Sequence, residues 1–442
     1  MPFSHLPPWL TSVFLSLAWW LDRRTGARLP LLLSGILFAR GRRTVTSWFR
    51  ACGIQDDFRP AYTTVCATGR NAHSMAITVV QAVRPLLTPS TRLTVAIDDT
   101  PTPRYGPYVE GCGIHHNPSQ GPAGEQHLYG HLWVMLAALA EHPDWGTLAL
   151  PLQAQLYIRK VDVEGLPPER QCVFHTKLEL AAGQLAWLKP WVEGRFLAFW
   201  VVVDGGYAKK PFLRAAKAGG WVVVSRLRKD AALFTLPPPR RLGQRGRPRI
   251  YGKERLSLAM RAGQTRGWQT VECVQYGKQV TKQVKVFLAT WRPAQGPILV
   301  VLVKEEDGWL AFFCTDVKAT AVEGLEAMAD RGAIEQTNKD VKEVWGAGQQ
   351  QVRNLDSNVG CFNLNLWLYS LVEVWAWPKE EEELVDRSAS PWDNEPRRPS
   401  HHDKRKALQR EVLRAEITEA LRGQPEQEKI QGLAERLLAL AA

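Results

Sequence analysis

Two apolar runs that each end at an acidic residue constrain the fold of this chain more than any other feature. Residues 93–97 are followed by Asp98 and Asp99, and residues 199–203 are followed by Asp204. Such runs are typical of buried strands, and a buried strand that stops at an acid delivers a carboxylate to the sheet edge, where ligands usually bind. The pattern therefore favours an α/β fold with an acidic site. A turn residue or a helix N-cap is the structural alternative for each Asp considered alone.

A third acid lies in a basic helical stretch. Arg331, Glu335, Lys339 and Lys342 stand at offsets of −4, 0, +4 and +7, so they share one helical face. One carboxylate flanked by cations suits a metal ion beside phosphate groups. The alternative is a solvent-exposed face with surface ion pairs, which contribute little to stability.

Three carboxylates brought together repel one another unless a cation neutralises them. Mg²⁺ takes such oxygen ligands together with substrate phosphate, and two such ions can clamp the oxygens of an in-line phosphoryl displacement. We therefore predict metal-dependent phosphodiester chemistry, with Asp98, Asp204 and Glu335 as catalytic residues and metal ligands. Asp99 is the rival to Asp98, because alternation along a strand points the two to opposite faces. Asp98 is preferred because it directly follows the apolar run.

The composition agrees with a nucleic-acid partner. The net charge is +12, and a basic chain of 442 residues favours a polyanion such as double-stranded DNA. Seven cysteines without a Cys-x-x-Cys motif indicate a reducing compartment. Residues 9–21 are apolar but too short to span a bilayer, so no membrane association is expected. We expect a cytoplasmic, nucleoid-associated bacterial protein.

The residues around the three acids resemble DDE transposases of bacterial insertion sequences. One branch of that family carries Tyr, two residues, Arg, three residues, Glu, six residues and Lys. Arg331, Glu335 and Lys342 stand at those spacings, and Met328 replaces the Tyr. The resemblance implies an RNase H-like mixed sheet with helices, a β-rich insertion before the catalytic Glu and a helical N-terminal domain.

The same resemblance implies a function. Such an enzyme cleaves DNA at the terminal inverted repeats of its element and joins the 3′-OH ends to target DNA. Two Mg²⁺ ions, for which Mn²⁺ can substitute, would be bridged by Asp98 and held separately by Asp204 and Glu335. A homodimer on paired ends is expected. A nuclease of the same fold without strand transfer, or a DNA-binding protein that has lost its chemistry, are the alternatives.

The sequence divides into five predicted regions. These are a helical DNA-binding domain at 1–90, a first catalytic part at 91–221, a β-rich insertion at 222–308, a second catalytic part at 309–377, and a charged linker with a C-terminal helix at 378–442. Strands are predicted at 93–97, near 128–137 and 147–158, and at 196–203, 221–227, 268–275, 279–288, 298–303 and 309–314. Helices are predicted at 31–39, 45–52, 177–191, 319–346, 362–377 and 408–440.

Several cations are candidates for DNA contact. A helix-turn-helix at 31–52 has Arg42 and Arg43 in its turn, and a Pro-rich loop contains an Arg-Gly-Arg-Pro core that favours phosphate contact over minor-groove reading. The predicted DNA-binding residues are Arg42, Arg43, Arg226, Arg228, Arg245, Arg247, Arg249, Arg331, Lys339 and Lys342.

Two further features leave alternatives open. His115, His116, His127 and His131 suggest zinc, but no cysteine pair supports it, and a role in shaping the site near Asp98 is favoured. The leucine-rich segment 408–440 offers a dimer contact or packs on its own catalytic domain.

Overall fold

The computed structural model describes residues 5–87, 91–116, 126–170, 172–240, 246–388, 392 and 397–422. The helices are α1 (Pro8–Ala18), α2 (Arg23–Gly26), α3 (Leu29–Phe38), α4 (Val45–Ala51), α5 (Arg59–Arg70), α6 (Ala72–Leu87), α7 (Lys160–Val163), α8 (Lys177–Val192), α9 (Lys210–Ala218), α10 (Leu258–Gly263), α11 (Ala321–Asp330), α12 (Gly332–Glu343), α13 (Leu355–Ala376), α14 (Glu381–Leu384) and α15 (His401–Ala420). A short 3₁₀ helix spans Pro168–Arg170.

The strands are β1 (Arg92–Pro103), β2 (Gly113–His116), β3 (His127–His142), β4 (Gly146–Tyr157), β5 (Ala198–Val203), β6 (Val222–Arg226), β7 (Leu233–Phe234), β8 (Arg255–Leu256), β9 (Gln269–Gln275), β10 (Lys278–Trp291), β11 (Gly296–Glu305) and β12 (Gly308–Cys314). In the described part of the chain they form one twelve-stranded sheet in the order β2-β3-β1-β5-β6-β12-β11-β10-β7-β8, with β4 beside β3 and β9 beside β10.

The centre of the sheet has the predicted RNase H-like arrangement. Strand β1 pairs antiparallel with β3, which pairs antiparallel with β4, while β1 is parallel to β5 and β5 is parallel to β6. Parallel neighbours need a crossover connection, and α8 and α9 supply it before β5 and before β6. The mixed α/β fold is therefore confirmed.

The register of β1 and β5 brings the first two acids to the same level. Ile97 pairs with Val203, so Asp98 and Asp204 follow at adjacent positions on neighbouring strands. One expectation is wrong: Asp98 does not end its strand. Strand β1 continues to Pro103, because residues 98–103 stay paired with β3 after the pairing with β5 stops.

The β-rich insertion is present and extends the same sheet. Strand β12 pairs antiparallel with β6, and the predicted hairpins β9–β10 and β11–β12 both form. Tyr276 and Gly277 turn the first hairpin with φ of 53° and 73°. Positive φ at both central residues is the requirement of a tight two-residue hairpin turn.

The N-terminal helices include the predicted pair α3 and α4. Thr44 caps α4 by accepting a hydrogen bond from the backbone N–H of Ser47 at 3.2 Å. Trp48 and Phe49 are fully buried, so this face of α4 packs on the protein, while Arg50 is exposed. Whether the pair contacts DNA stays a prediction.

Helix α13 runs through the protein core between β4, α5 and α6. It begins at Leu355, seven residues before the predicted start, and nearly all of its residues are buried. Gly69 of α5 and Gly360 of α13 let the two backbones approach, because a Cβ on either would collide with the carbonyl of Asp356 or Val65.

The structure also differs from the charged linker predicted after residue 377. Residues 401–406 are the first turns of α15 rather than a linker, and Lys404 and Arg405 are buried. Leu408 and Val412 are buried where α15 packs on α13 and α3, so the described part of this helix packs on its own chain. The leucines at 433, 437, 438 and 440 lie outside the described residues. The proposed division into domains stays a prediction. No helix within the described ranges has the length and apolar character needed to cross a membrane.

Candidate active site

Asp98 faces helix α12. Its Oδ1 lies 3.8 Å from Nη1 of Arg331, and Nδ2 of Asn338 donates to its Oδ2 at 3.4 Å. Arg331 stands at the junction of α11 and α12, and Asn338 lies two turns further along α12. The helix that carries the third acid therefore packs directly over the first one.

Glu335 lies in the first turn of α12 and pairs with Arg331, whose Nη2 is 2.5 Å from its Oε1. Glu335 and Asp204 line one cavity of about 280 Å³. Arg226 and Arg331 line the same cavity, so both carboxylates and guanidinium groups face it. The predicted stripe on α12 is thus partly an ion pair and partly the wall of the cavity.

Asp99 lies on the opposite face of β1. Lys177 donates to its Oδ2 at 2.8 Å, and the Tyr207 hydroxyl donates to its Oδ1 at 3.4 Å. The alternation that made Asp99 a rival of Asp98 is therefore visible in the structure. Asp99 has a cation of its own, whereas Asp98 shares Arg331 with Glu335.

The site carries an excess of negative charge. Burial raises the pKa of Asp98 to about 6; the Arg331 charge opposes this shift, and the charges of Asp99 and Glu335 add to it. Burial has the opposite effect on the cation Lys342: it lowers the pKa of this half-buried side chain, and the nearby charges of Glu343 and Asp98 raise it. Because one guanidinium serves two carboxylates, the site is incompletely neutralised.

The donor set suits a hard divalent cation. Asp98, Asp204 and Glu335 offer carboxylate oxygens, the ligands that Mg²⁺ prefers. Nη1 of Arg331 is buried without a hydrogen-bond partner. Among the described residues no three acidic, His or Cys side chains are already grouped to hold an ion. Ion binding would therefore require the carboxylates to close up and Arg331 to give way.

The predicted DNA-binding residues on the α12 side are close to this cavity. Arg226 lines it and is exposed, and Lys339 is exposed on α12. Arg331 is only 15% exposed and is engaged with the two acids. Lys342 is half-buried. Arg331 and Lys342 thus face inward, whereas Arg226 and Lys339 remain accessible.

The other predicted cations are dispersed. Arg228 is exposed and pairs with Asp230 at 3.1 Å. Arg247 and Arg249 are exposed, and Arg245 lies outside the described residues. Arg42 is exposed in the turn before α4.

Arg43 is anchored beside that turn. Its backbone N–H donates to Oε1 of Gln349 at 2.8 Å, and its Nη1 lies 3.5 Å from the carbonyl of Glu343. The turn of the predicted helix-turn-helix is thereby attached to the end of α12.

His131 has the surroundings of a core residue. It is fully buried, Arg104 donates from Nε to its Nδ1 at 3.2 Å, and its Nε2 lies 2.9 Å from the carbonyl of Glu110. Burial lowers its pKa to about 3. These contacts fix a neutral ring that donates from Nε2 and accepts at Nδ1. His131 therefore supports β3 and the neighbouring loop.

Three residues near the acids were not predicted. Tyr276 lies at the tip of the β9–β10 hairpin against Gly332, where a Cβ on Gly332 would meet its ring. Glu305 and Tyr276 line the cavity with Asp204, and Asn338 bonds Asp98. The turn at Tyr276 was readable from sequence, but its position over α12 depends on sheet pairing between distant segments.

Comparison with known proteins gives one result. A family model described as DDE superfamily endonuclease matches residues 17–294, more than half of the chain. The match includes Asp98 and Asp204, and it ends before Glu335. No curated protein matches the chain.

Proposed function

Because the chain belongs to the DDE superfamily endonucleases, we propose that it is a DDE transposase. It would cleave DNA at the ends of its own element and join the freed 3′-OH ends to target DNA. The observation that supports this best is that Asp98 and Asp204 occupy equivalent positions on the neighbouring strands β1 and β5. Helix α12, which carries Glu335, packs over them. Both acids directly follow the last parallel pair of β1 and β5, at the edge where ligands of α/β sheets usually bind.

Asp98, Asp204 and Glu335 would hold divalent ions, with two Mg²⁺ as the proposed cofactor. Such ions, when bound, stabilise charge on phosphodiester oxygens and lower the pKa of water. Asn338 would keep the Asp98 carboxylate oriented toward α12. Arg331, once released from Asp98 and Glu335, would be free to bind a phosphate beside Arg226.

The reaction has two steps of the same type. In the first, water attacks phosphorus, the bond from phosphorus to the 3′ oxygen breaks, and the 3′ oxygen leaves as a hydroxyl. In the second, this hydroxyl attacks a phosphodiester of the target, and a 3′-OH of the target leaves. Neither step requires a covalent link between protein and DNA.

Substitution of the acids tests the site. Asp204→Asn and Glu335→Gln should abolish cleavage in Mg²⁺ and leave DNA binding largely intact, because an amide keeps the shape but is a weaker ligand for a hard cation. Asp98→Asn should do the same. Asp99→Asn is the matched control, because Asp99 is held by Lys177 and Tyr207 on the other face. If only the Asp99 change stops cleavage, the assignment of Asp98 is wrong.

Strand transfer separates a transposase from a nuclease of the same fold. Pre-cut element ends would be incubated with a supercoiled plasmid, and Asp204→Asn would serve as the inactive control. Joined products identify a transposase, whereas plasmid cleavage without joining identifies the nuclease.

The arrangement on DNA is also a proposal. The exposed Arg247 and Arg249, together with Arg245, would contact phosphates of the terminal repeats. A homodimer would present two such sites to two ends, since two-fold symmetry is the commonest in oligomers.

A further inference from the structure

A groove with only cationic charge lies between the end of α3, the turn before α4, and α15. Its volume is about 370 Å³. Its charged lining consists of Arg40, Arg43, Arg405, Lys406 and Arg410, with His402 beside them. None of the described residues that line the groove is acidic, so cations from two distant parts of the chain meet there.

Arg405 forms the floor of the groove. It is buried, and Nη2 donates to the carbonyls of Leu37 at 2.7 Å and Ala39 at 2.9 Å, while Nη1 donates to the carbonyl of Val344. Burial lowers the pKa of Arg405 to about 9, and the charges of Arg43 and Arg40 act in the same direction. Carbonyl dipoles satisfy its hydrogen bonds but do not cancel its charge.

The walls of the groove present cations that are free to bind. Arg40 and Lys406 are exposed cations, and the exposed His402 lies four residues before Lys406 on one face of α15. Burial and the charges of Lys406 and Arg405 lower the pKa of His402, which favours its neutral ring. Within the described ranges no carboxylate lies within 4.0 Å of Arg40, His402, Lys406 or Arg43, although the charge of Lys406 acts on Asp386 and that of Asp403 acts on His402. Nε of Arg43 is buried without a hydrogen-bond partner.

Arg410 belongs to the edge of the groove. It lies 3.7 Å from Asp386 and donates to the carbonyl of Leu384 at 3.3 Å. Its charge is thus partly balanced, and it contributes less to the groove than the other cations.

The groove adjoins the helix that carries Glu335. Nη1 of Arg43 lies 3.5 Å from the carbonyl of Glu343, and Arg405 bonds the next carbonyl along. Glu335 stands eight residues earlier on α12, roughly 12 Å away at a rise of about 1.5 Å per residue. The exposed Lys339 lies between them. One duplex, which rises about 3.4 Å per base pair, can span that distance in three to four steps.

We propose that this groove binds the phosphate backbone of duplex DNA whose nearby phosphodiester is presented to the acidic cavity. The identity of the ligand rests on the proposed function. The absence of acids, the two-walled shape and the position beside α12 suit a regular polyanion better than a single small anion. Contact to phosphates contributes affinity and position without sequence preference.

The test measures DNA binding by the full chain in EDTA, so that cleavage plays no part. Arg40→Ala combined with Lys406→Ala removes two exposed groove cations that have no carboxylate partner in the described structure. Arg214→Ala combined with Lys217→Ala removes two exposed cations from α9 and is the matched control. The probe is a short duplex of generic sequence, titrated by fluorescence anisotropy over a series of salt concentrations.

The groove variant should show a slope of log affinity against log salt that is less steep by about 1 per residue, or about 2 in all. The control should keep the wild-type slope, and both variants should keep the wild-type thermal unfolding. A wild-type slope in the groove variant overturns the proposal, as does an equal change in the control. A change seen only with duplex RNA would assign the groove to RNA and also overturn it.

Failure of the proposed function gives a different result. If the wild-type protein binds duplex DNA but cleaves none in Mg²⁺, the binding slopes still decide whether the groove contacts phosphate. If the groove variant binds normally while wild-type cleavage and joining proceed, the groove proposal alone fails.

Discussion

Glu373 and Asp98 are carboxylates largely removed from solvent on opposite sides of α12, yet their charges are balanced in opposite ways. Glu373 accepts from Lys404 at 2.6 Å, and its other oxygen lies 2.6 Å from Nδ1 of His401. Burial alone would raise the pKa of Glu373, but Lys404 and His401 hold it well below its usual range. Among the described residues, the cation at ion-pair distance from Asp98 is Arg331, at 3.8 Å and shared with Glu335, and burial raises the pKa of Asp98 to about 6.

The difference separates a structural cluster from a ligand site. The Glu373 cluster is closed: Trp345 donates to His401 at 2.7 Å, and Tyr369 stacks on the His401 ring. It fastens α15 to α13. On the other side of α12, Asp98 and Glu335 share the single guanidinium of Arg331, and Glu335 and Arg331 line the cavity that also contains Asp204. Several acids with too little positive charge to neutralise them repel one another. A divalent cation that binds them would stabilise the folded protein.

Removal of Lys404 should give the largest effect on stability. Lys404→Met leaves Glu373 buried with only His401, and breaking one partner of a buried pair costs about 3–5 kcal/mol. The Lys404 ammonium also lies 3.8 Å from the centre of the Trp145 ring, a contact that Met loses. Urea unfolding of the full chain measures the change. Arg422→Met, which breaks an exposed pair with Glu419, should cost less than about 1 kcal/mol. A similar small loss for Lys404→Met would contradict the structural role of the cluster.

Asp98→Asn should stabilise the folded protein at neutral pH, whereas Lys404→Met should destabilise it. A folded-state pKa of about 6 against the ordinary 3.8 means that ionisation costs more in the folded protein. The stability contributed by Asp98 is full below about pH 3.8 and is lost as the pH rises through about 6. At pH 7 the Asn variant should be more stable than wild type by about 1–3 kcal/mol, since each unit of pKa is worth about 1.4 kcal/mol.

The pH dependence distinguishes the two clusters. The advantage of Asp98→Asn should vanish near pH 4, where wild-type Asp98 is protonated. Glu373→Gln should instead destabilise at pH 7, because a lowered pKa contributes stability above the unfolded value of about 4.5. Urea unfolding in EDTA at both pH values measures each difference. A loss of stability in Asp98→Asn at pH 7 would place Asp98 in the same class as Glu373.

The positions of the strands can be predicted from the sequence, but the cations that surround each buried acid cannot. Apolar runs predicted β1 and β5, and alternation predicted that Asp98 and Asp99 face opposite sides. Which side faces α12 depends on how a helix far along the chain packs on the sheet. Asp98 directly follows the apolar run, and this local feature of the sequence carries no information about α12.

The Glu373 cluster was missed for a related reason. Lys404 and Arg405 lie in a stretch that is rich in charge and Pro, which is typical of linkers. Their burial results from pairing with Glu373 and with the carbonyls at the end of α3, neither of which local composition reveals. Arg331 shows the converse: it was predicted to contact DNA from its helical face, and its ion pairs with Asp98 and Glu335 follow from tertiary packing.

Mg²⁺ alone should stabilise the acidic site around Asp98 by a smaller amount. An ion that binds only the folded protein adds about 1.4 kcal/mol at ten times its dissociation constant. Thermal unfolding with and without Mg²⁺ measures the gain. It should disappear in Asp98→Asn and Glu335→Gln and persist in Asp99→Asn, which alters only the opposite face of β1. Equal stabilisation of Asp98→Asn and Asp99→Asn would mean that Mg²⁺ binds elsewhere.

Arg331→Gln should change stability least, by less than about 1 kcal/mol in either direction. Glu335 is 61% exposed, so water takes over when its ion pair is lost, and Asp98 can protonate. The Arg331 charge lowers the pKa of Asp98, so its removal should raise that pKa further. The pH above which the advantage of Asp98→Asn stops growing should then move upward when both proteins carry Arg331→Gln. Mg²⁺ should bind Arg331→Gln more tightly than wild type, because the cation that competes for the carboxylates is gone. A loss as large as that of Lys404→Met would show that Arg331 closes a structural cluster, and the contrast between the two sides of α12 would fail.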